Sequence, residues 1–130
     1  MSGYAFDSNI VIDALRGFSE AHSELRRAIG LGGRLWISRL VWTEVMSKGS
    51  GEGLRRAERF LTGFGIDEVD EEISMRAASL RRERPRLKSP DAVILASALT
   101  RGRVLVTRNI KDFPENMPGI RVPYLTPKEF

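Results

Sequence analysis

Cysteine is absent from the sequence, and histidine occurs once, at His22. The first absence excludes disulfides, thiolate catalysis and cysteine-ligated zinc, and it agrees with a reducing compartment. The second excludes clusters of imidazole ligands. No window of eighteen consecutive apolar residues occurs, so no membrane-spanning helix is expected. The opening stretch "MSGYAFDSN" has neither a basic region nor a long apolar run, which argues against a signal peptide and for a cytoplasmic location.

What is present is charge of both signs, 21 Lys and Arg against 17 Asp and Glu, for a formal net charge of +4. Part of the excess is local: "RRERPRLK", Arg81–Lys88, holds one acid among its basic residues. A run of this kind serves equally as a solvated helix end or as a surface for phosphates. Arg26–Arg27 and Arg55–Arg56 read the same way. The length of 130 residues suits a single domain, residues 1–130, since a chain of this size hides roughly two-thirds of its unfolded surface on folding.

Hydrophobic spacing along the chain predicts strands alternating with helices. "YAFD" reads as a strand, "SNIVIDALRG" and "EAHSELRRAIGL" as helices, "RLWIS" as a strand and "RLVWTEVMSK" as a helix. "EGLRRAERFLTGFG" follows as a helix, "IDEVD" as a short strand, and "EEISMRAASLRRER" as a helix that stops at Pro85. "RVLVT" is a strand, "RNIKDF" a loop, "GIRVPYL" an edge strand and "TPKEF" a tail. Such alternation implies crossover connections and a parallel sheet. Ligands of an open sheet of this kind bind beyond the carboxyl ends of its strands, where the strand order reverses.

Within "LKSPDAVILASALT", Leu87–Thr100, Asp91 is the one carboxylate at the head of an otherwise small or apolar segment. Helix chemistry accounts for it: Ser89 suits the N-cap, Pro90 the first helical position, and an acid in the first turn complements the helix dipole. Three more acids occupy comparable places: Asp7 at a strand end, Glu44 within an amphipathic helix, and Asp112 in a strand-end loop. Each has a structural alternative as a cap, a surface residue or a turn former. Taken together they have no adjacent set of Lys or Arg at Asp7 or Glu44 to neutralise them. Carboxylates that converge raise one another's pKa unless a cation intervenes, and oxygen ligands without His or Cys favour Mg²⁺, with Mn²⁺ as a substitute.

"FDSNIVID", "ISRLVWTEV", "LKSPDAVILASAL" and "LVTRNIKDF", in this order and spanning nearly the whole chain, resemble the motifs of the PIN-domain ribonucleases, and among them the VapC-type toxins of prokaryotic toxin–antitoxin pairs. The resemblance implies an α/β fold, a PIN-like three-layer sandwich with a central, mainly parallel sheet flanked by helices. It implies that Asp7, Glu44, Asp91 and Asp112 form an acidic metal-binding and catalytic quartet, with Asp7 and Asp91 the most direct ligands. Asn9, Thr107 and Asn109 become supporting polar residues. The activity implied is Mg²⁺-dependent endoribonuclease chemistry, with an RNA substrate, a small antitoxin partner and a homodimer. Arg82, Arg84, Arg86 and Lys88 are then candidates to hold the RNA backbone beside the acidic pocket.

A phosphoacceptor receiver domain has similar length and layout but needs paired acids after its first strand, an Asp after a middle strand and a late Lys. Here Ser8 and Asn9 follow Asp7, and "WISRL" offers no Asp. A non-catalytic RNA-binding or interaction domain on the same fold is the remaining alternative. His22 is expected to be a surface or half-buried helix residue, Trp36 and Trp42 core or dimer-surface residues, and "KGSGEG" a flexible connection. The helix faces around Leu40–Val45 and Leu54–Phe64 are expected to expose apolar surface, which supports the dimer.

Overall fold

A computed structural model describes residues 3–113 and 116–125. In chain order the elements are β1 (Tyr4–Phe6), α1 (Ser8–Leu15), α2 (Ser19–Gly30), β2 (Leu35–Ser38), α3 (Arg39–Met46), α4 (Gly51–Leu61), β3 (Gly65–Asp67), α5 (Glu71–Glu83), α6 (Ser89–Thr100), β4 (Val104–Val106) and β5 (Ile120–Arg121). The strands form one sheet in the order β3-β2-β1-β4-β5, and every neighbouring pair is parallel.

From β1 the chain moves outward to β2 and β3, then returns past β1 to β4 and β5. The strand order therefore reverses between β1 and β4. Right-handed crossovers place α1–α4 on one face of the sheet and α5–α6 on the other, which gives the expected three layers. No described helix is long and apolar enough to cross a membrane.

The core explains why these segments take these forms. Phe6, Ile37, Leu105 and Val106 come from three adjacent strands and are fully or almost fully buried, as are Ile10 and Val11 of α1 and Phe113 beyond β4. In α6, Ala92, Ile94, Leu95, Ala96, Ser97 and Ala98 are all buried. A helix that is apolar on every side has to be enclosed. Here it is packed by α5, α3, β2 and β4, and its Ser97 hydroxyl is satisfied by the Val93 carbonyl at 2.8 Å.

Several boundaries differ from the sequence expectation. The strand expected over "IDEVD" ends at Asp67, because Asp70 instead caps α5 by accepting a hydrogen bond from the Ile73 N–H at 2.9 Å. Gly65, expected at the end of the fourth helix, opens β3. The strand expected over "GIRVPYL" is confined to Ile120–Arg121; Pro123 beyond it has no N–H to continue a ladder. Helix α6 starts one residue earlier than expected, with Lys88 rather than Ser89 as its N-cap and no side-chain cap bond. The Lys88 carbonyl accepts the first helical bond, from Ala92 at 2.9 Å, and a lysine side chain has no acceptor to offer. The helix faces around Leu40–Val45 and Leu54–Phe64 are less open than expected: Leu40, Trp42, Met46 and Phe60 pack partly buried against the core. "TPKEF" lies outside the described residues.

Candidate active site

Asp7 follows β1 and Thr107 follows β4, so both stand at the carboxyl edge of the sheet where the strand order reverses. Asp7 is buried and does two things at once. As N-cap of α1 its Oδ1 accepts from the Ser8 N–H at 2.8 Å. Its Oδ2 accepts from the Thr107 hydroxyl at 2.8 Å and from the Asn9 amide at 3.3 Å. Burial nevertheless pushes the Asp7 carboxyl above its ordinary value; those hydrogen bonds oppose the rise, and the charge of Glu44 adds to it. The sequence alternative of a helix cap is thus correct for Asp7 and compatible with a further role.

The supporting residues form one chain of contacts. Thr107 is fully buried, donates to Asp7 and accepts from the Asn109 N–H at 3.0 Å. The Asn9 amide also reaches the Thr107 hydroxyl at 3.3 Å. Asn109 holds its own loop, donating to Asp112 Oδ2 at 2.9 Å while its Oδ1 accepts from the Asp112 N–H at 3.3 Å. Asp112 is therefore positioned by the loop that Thr107 anchors.

Glu44 and Asp91 complete the set. Glu44 is half-buried on α3, and its Oε1 accepts from the Ser8 hydroxyl at 2.8 Å, a link across 36 residues. Asp91, in the first turn of α6, has its pKa pushed up to about 6. Burial is the largest cause, followed by the charges of Asp7 and Asp112, a hydrogen bond with Asp112, and the charge of Glu44. The four acids thus lie within electrostatic reach of one another, three of them acting on the fourth. Among the described residues, no three acidic or histidine side chains are grouped as a ready three-ligand set for one ion.

The donor chemistry fits a hard divalent cation. All the groups are carboxylates, and Asp7 and Asp91 hold protons more tightly than usual. A cation with oxygen preference relieves the same repulsion without protonation.

The basic residues divide. Arg84 and Arg86, with Lys111 and Leu87, line a cleft of about 160 Å³ that has Asp112 on its wall. Arg82 lines a different groove, between α5 and α6, with Arg81 and Ser89. Lys88 is exposed at the start of α6. His22, on α2, lines an apolar groove with Leu25, Ile29 and Phe60.

Sequence reasoning missed three features. Ser8 orients Glu44, and its only signal was its place immediately after the strand-end acid. Arg108 pairs with the buried Asp13 at 2.6 Å, and Tyr124 donates to the same carboxylate at 2.9 Å. Lys111 faces the cleft beside Asp112.

Comparison with known proteins agrees with this architecture. The PIN domain family model matches residues 4–116. No curated protein matches the chain. Among solved structures, a toxin–antitoxin complex from Klebsiella pneumoniae contains a chain 36% identical, with a TM-score of 0.86, covering 95% of this chain and 99% of that one. VapBC2 from Rickettsia felis, bound to a promoter DNA fragment, is similar at 22% identity and a TM-score of 0.76, covering 90% and 94% of the two chains. FitAcB from Neisseria gonorrhoeae is similar in fold at 18% identity and a TM-score of 0.77, covering 92% and 97%. With the family model spanning almost all of the sheet and every helix, this chain belongs to the PIN-domain family.

Proposed function

We propose that the protein is a Mg²⁺-dependent endoribonuclease and the toxin of a type II toxin–antitoxin pair. The observation that carries this reading is the convergence of Asp7, Glu44, Asp91 and Asp112 near the edge where the sheet reverses, where burial first, and then the charges of Asp7, Asp112 and Glu44, push the pKa of Asp91 up to about 6. An acid placed only to start a helix would not be surrounded by three others.

In this reading Asp7 and Asp91 hold the metal, with Glu44 and Asp112 completing the acidic set. Bound Mg²⁺ supplies a water of lowered pKa and neutralises charge on phosphate oxygens. The chain's own residues do the rest. Thr107 and Asn9 keep the Asp7 carboxylate oriented, Ser8 does so for Glu44, and Asn109 for Asp112. Arg82, Arg84, Arg86 and Lys88 hold the RNA backbone, offsetting the repulsion between a polyanion and an acidic centre.

The Klebsiella pneumoniae relative, solved as a toxin–antitoxin complex, supports a small antitoxin partner for this chain. The protein itself acts as a homodimer in the cytoplasm. Sedimentation at micromolar concentration tests the dimer; a monomer there removes it without touching the nuclease assignment.

The decisive assay is cleavage of single-stranded RNA in Mg²⁺ and in EDTA, with Asp7→Asn as control. Cleavage in Mg²⁺ alone, lost in Asp7→Asn, is the expected result. RNA binding without cleavage in either condition favours the non-catalytic alternative.

A further inference from the structure

Three cations converge on the cleft beside Asp112. Among the described residues, salt bridges neutralise some arginines, from the exposed Arg39–Glu68 pair to the buried Arg103–Asp67 pair, while others, such as Arg76 and Arg82, lie apart from one another without one. Arg84, Arg86 and Lys111 form no salt bridge to any described residue, and all three line one cleft of about 160 Å³. Among the described residues of that wall, Asp112 is the one carboxylate. Three cations that no described acid pairs, against one acid, favour an anion.

Both sides of the cleft are held in place. On one side, the turn after α5 is closed by the Leu87 N–H donating to the Arg84 carbonyl at 2.9 Å. Leu87 is buried, and its carbonyl accepts from Arg81 Nε at 2.8 Å. Arg84 and Arg86 therefore project from a fixed turn. On the other side, Lys111 and Asp112 belong to the loop that Asn109 ties together through Asp112 and through the Phe113 N–H, which donates to the Asn109 carbonyl at 3.0 Å.

We propose that this cleft is a subsite for a second, non-scissile phosphate of single-stranded RNA, contacted by Lys111, Arg84 and Arg86. The inference rests on the nuclease reading for which phosphate is cut, and it adds a length requirement. Asp112 belongs to both the acidic set and the cleft wall, so a strand with one phosphate at the carboxylates presents its neighbour to the cleft. A dinucleoside monophosphate fills only one of the two positions. The smallest well-bound substrate is a trinucleotide with two phosphodiester links.

Binding is measured first, in EDTA, with a fluorescent single-stranded RNA titrated at several salt concentrations. Lys111 is exposed, and Lys111→Ala removes a side chain without disturbing the core. Its expected effect is weaker binding, with the salt dependence flattened by about 0.7 in the log–log slope, the value for one phosphate contact on a single strand. Cleavage is measured second, in Mg²⁺: the wild type is expected to show a lower KM for a trinucleotide than for a dinucleoside monophosphate, and Lys111→Ala to abolish that difference.

Unchanged affinity and slope in Lys111→Ala overturn the subsite, as does a wild type that binds no RNA in EDTA. If the wild type cleaves RNA while Lys111→Ala matches it in every respect, the subsite falls and the nuclease reading stands. If the wild type never cleaves yet Lys111→Ala flattens the slope, the nuclease reading falls and the phosphate site stands.

Discussion

The Thr107 hydroxyl donates to Asp7 Oδ2 at 2.8 Å, joining the ends of β1 and β4 across 100 residues of sequence. The same oxygen accepts from the Asn109 N–H, so one buried group fixes both a carboxylate and the loop that carries Asp112. Thr107→Val keeps the shape and removes both functions. It leaves a buried carboxylate short of a donor and a backbone N–H short of an acceptor, a loss of about 1–3 kcal/mol. Urea unfolding in EDTA measures that cost, and a Mn²⁺ titration is expected to show weakened binding. Unchanged stability would mean that the valine is accommodated by water or a shifted loop.

Asp91 gives a prediction with a definite sign in pH. Its carboxyl titrates near 6 in the folded chain against an ordinary value of 3.8, so the folded state holds the proton more tightly. Stability from this group is fully present below pH 3.8 and is lost as pH rises through 6. Asp7, also raised, contributes in the same direction. In EDTA the melting temperature of the wild type is expected to carry this downward contribution between about pH 4 and 7. Asp91→Asn removes the Asp91 part of it, so the mutant equals or exceeds the wild type at pH 7 while losing Mg²⁺-dependent cleavage. A purely structural first-turn acid would instead cost about 0.3–1 kcal/mol when neutralised. Melts of the two proteins across that pH range, with and without Mg²⁺, separate the readings.

The sheet yields a prediction independent of function. Trp36 and Gly65 are register partners in β2 and β3, and a Cβ at Gly65 would lie 2.5 Å from Trp36 Cε3. The indole is also stacked by Arg103, whose guanidinium carbon is 3.6 Å from the ring centroid. Gly65→Ala therefore forces a packed, stacked ring to move. Overpacking of this kind costs about 1–3 kcal/mol, measurable as a lowered urea midpoint, with RNA cleavage at low temperature retained.

These residues show what a sequence reveals and what it conceals. The alternation of strands and helices is legible because hydrophobic spacing follows local geometry, and a parallel sheet directs attention to its reversal point as the place for a ligand. Asp7 and Asp91 stood out because a strand end and a helix first turn leave a mark on the residues around them. The link from Ser8 to Glu44 spans 36 residues and that from Arg108 to Asp13 spans 95, and neither leaves a periodic trace. Gly65 read as a helix end because the contact that demands glycine lies on another strand. The apolar faces around Leu40 and Phe60 looked open because a helical pattern shows which side is greasy, not what covers it.

The last prediction concerns Asp13, which is fully buried in α1 and carries a charge far from water. Arg108 grips both of its oxygens, at 2.6 and 3.1 Å, and the Tyr124 hydroxyl donates to Oδ2 at 2.9 Å. The Arg108 N–H also donates to Asn9 Oδ1 at 3.4 Å, so this ion pair adjoins the contacts that orient Asp7. The two partners of Asp13 are not equivalent. Tyr124→Phe removes one hydrogen bond and leaves the charge compensated, a loss of about 0.5–1.5 kcal/mol. Arg108→Met keeps much of the volume but strands a buried carboxylate, a loss of about 3–5 kcal/mol. Replacing Asp13 by Leu in the Arg108→Met background removes the stranded charge and is expected to recover much of the loss. Urea midpoints for the wild type and these three variants at pH 7 test this; if Arg108→Met costs no more than Tyr124→Phe, the buried carboxylate does not depend on the guanidinium for its compensation.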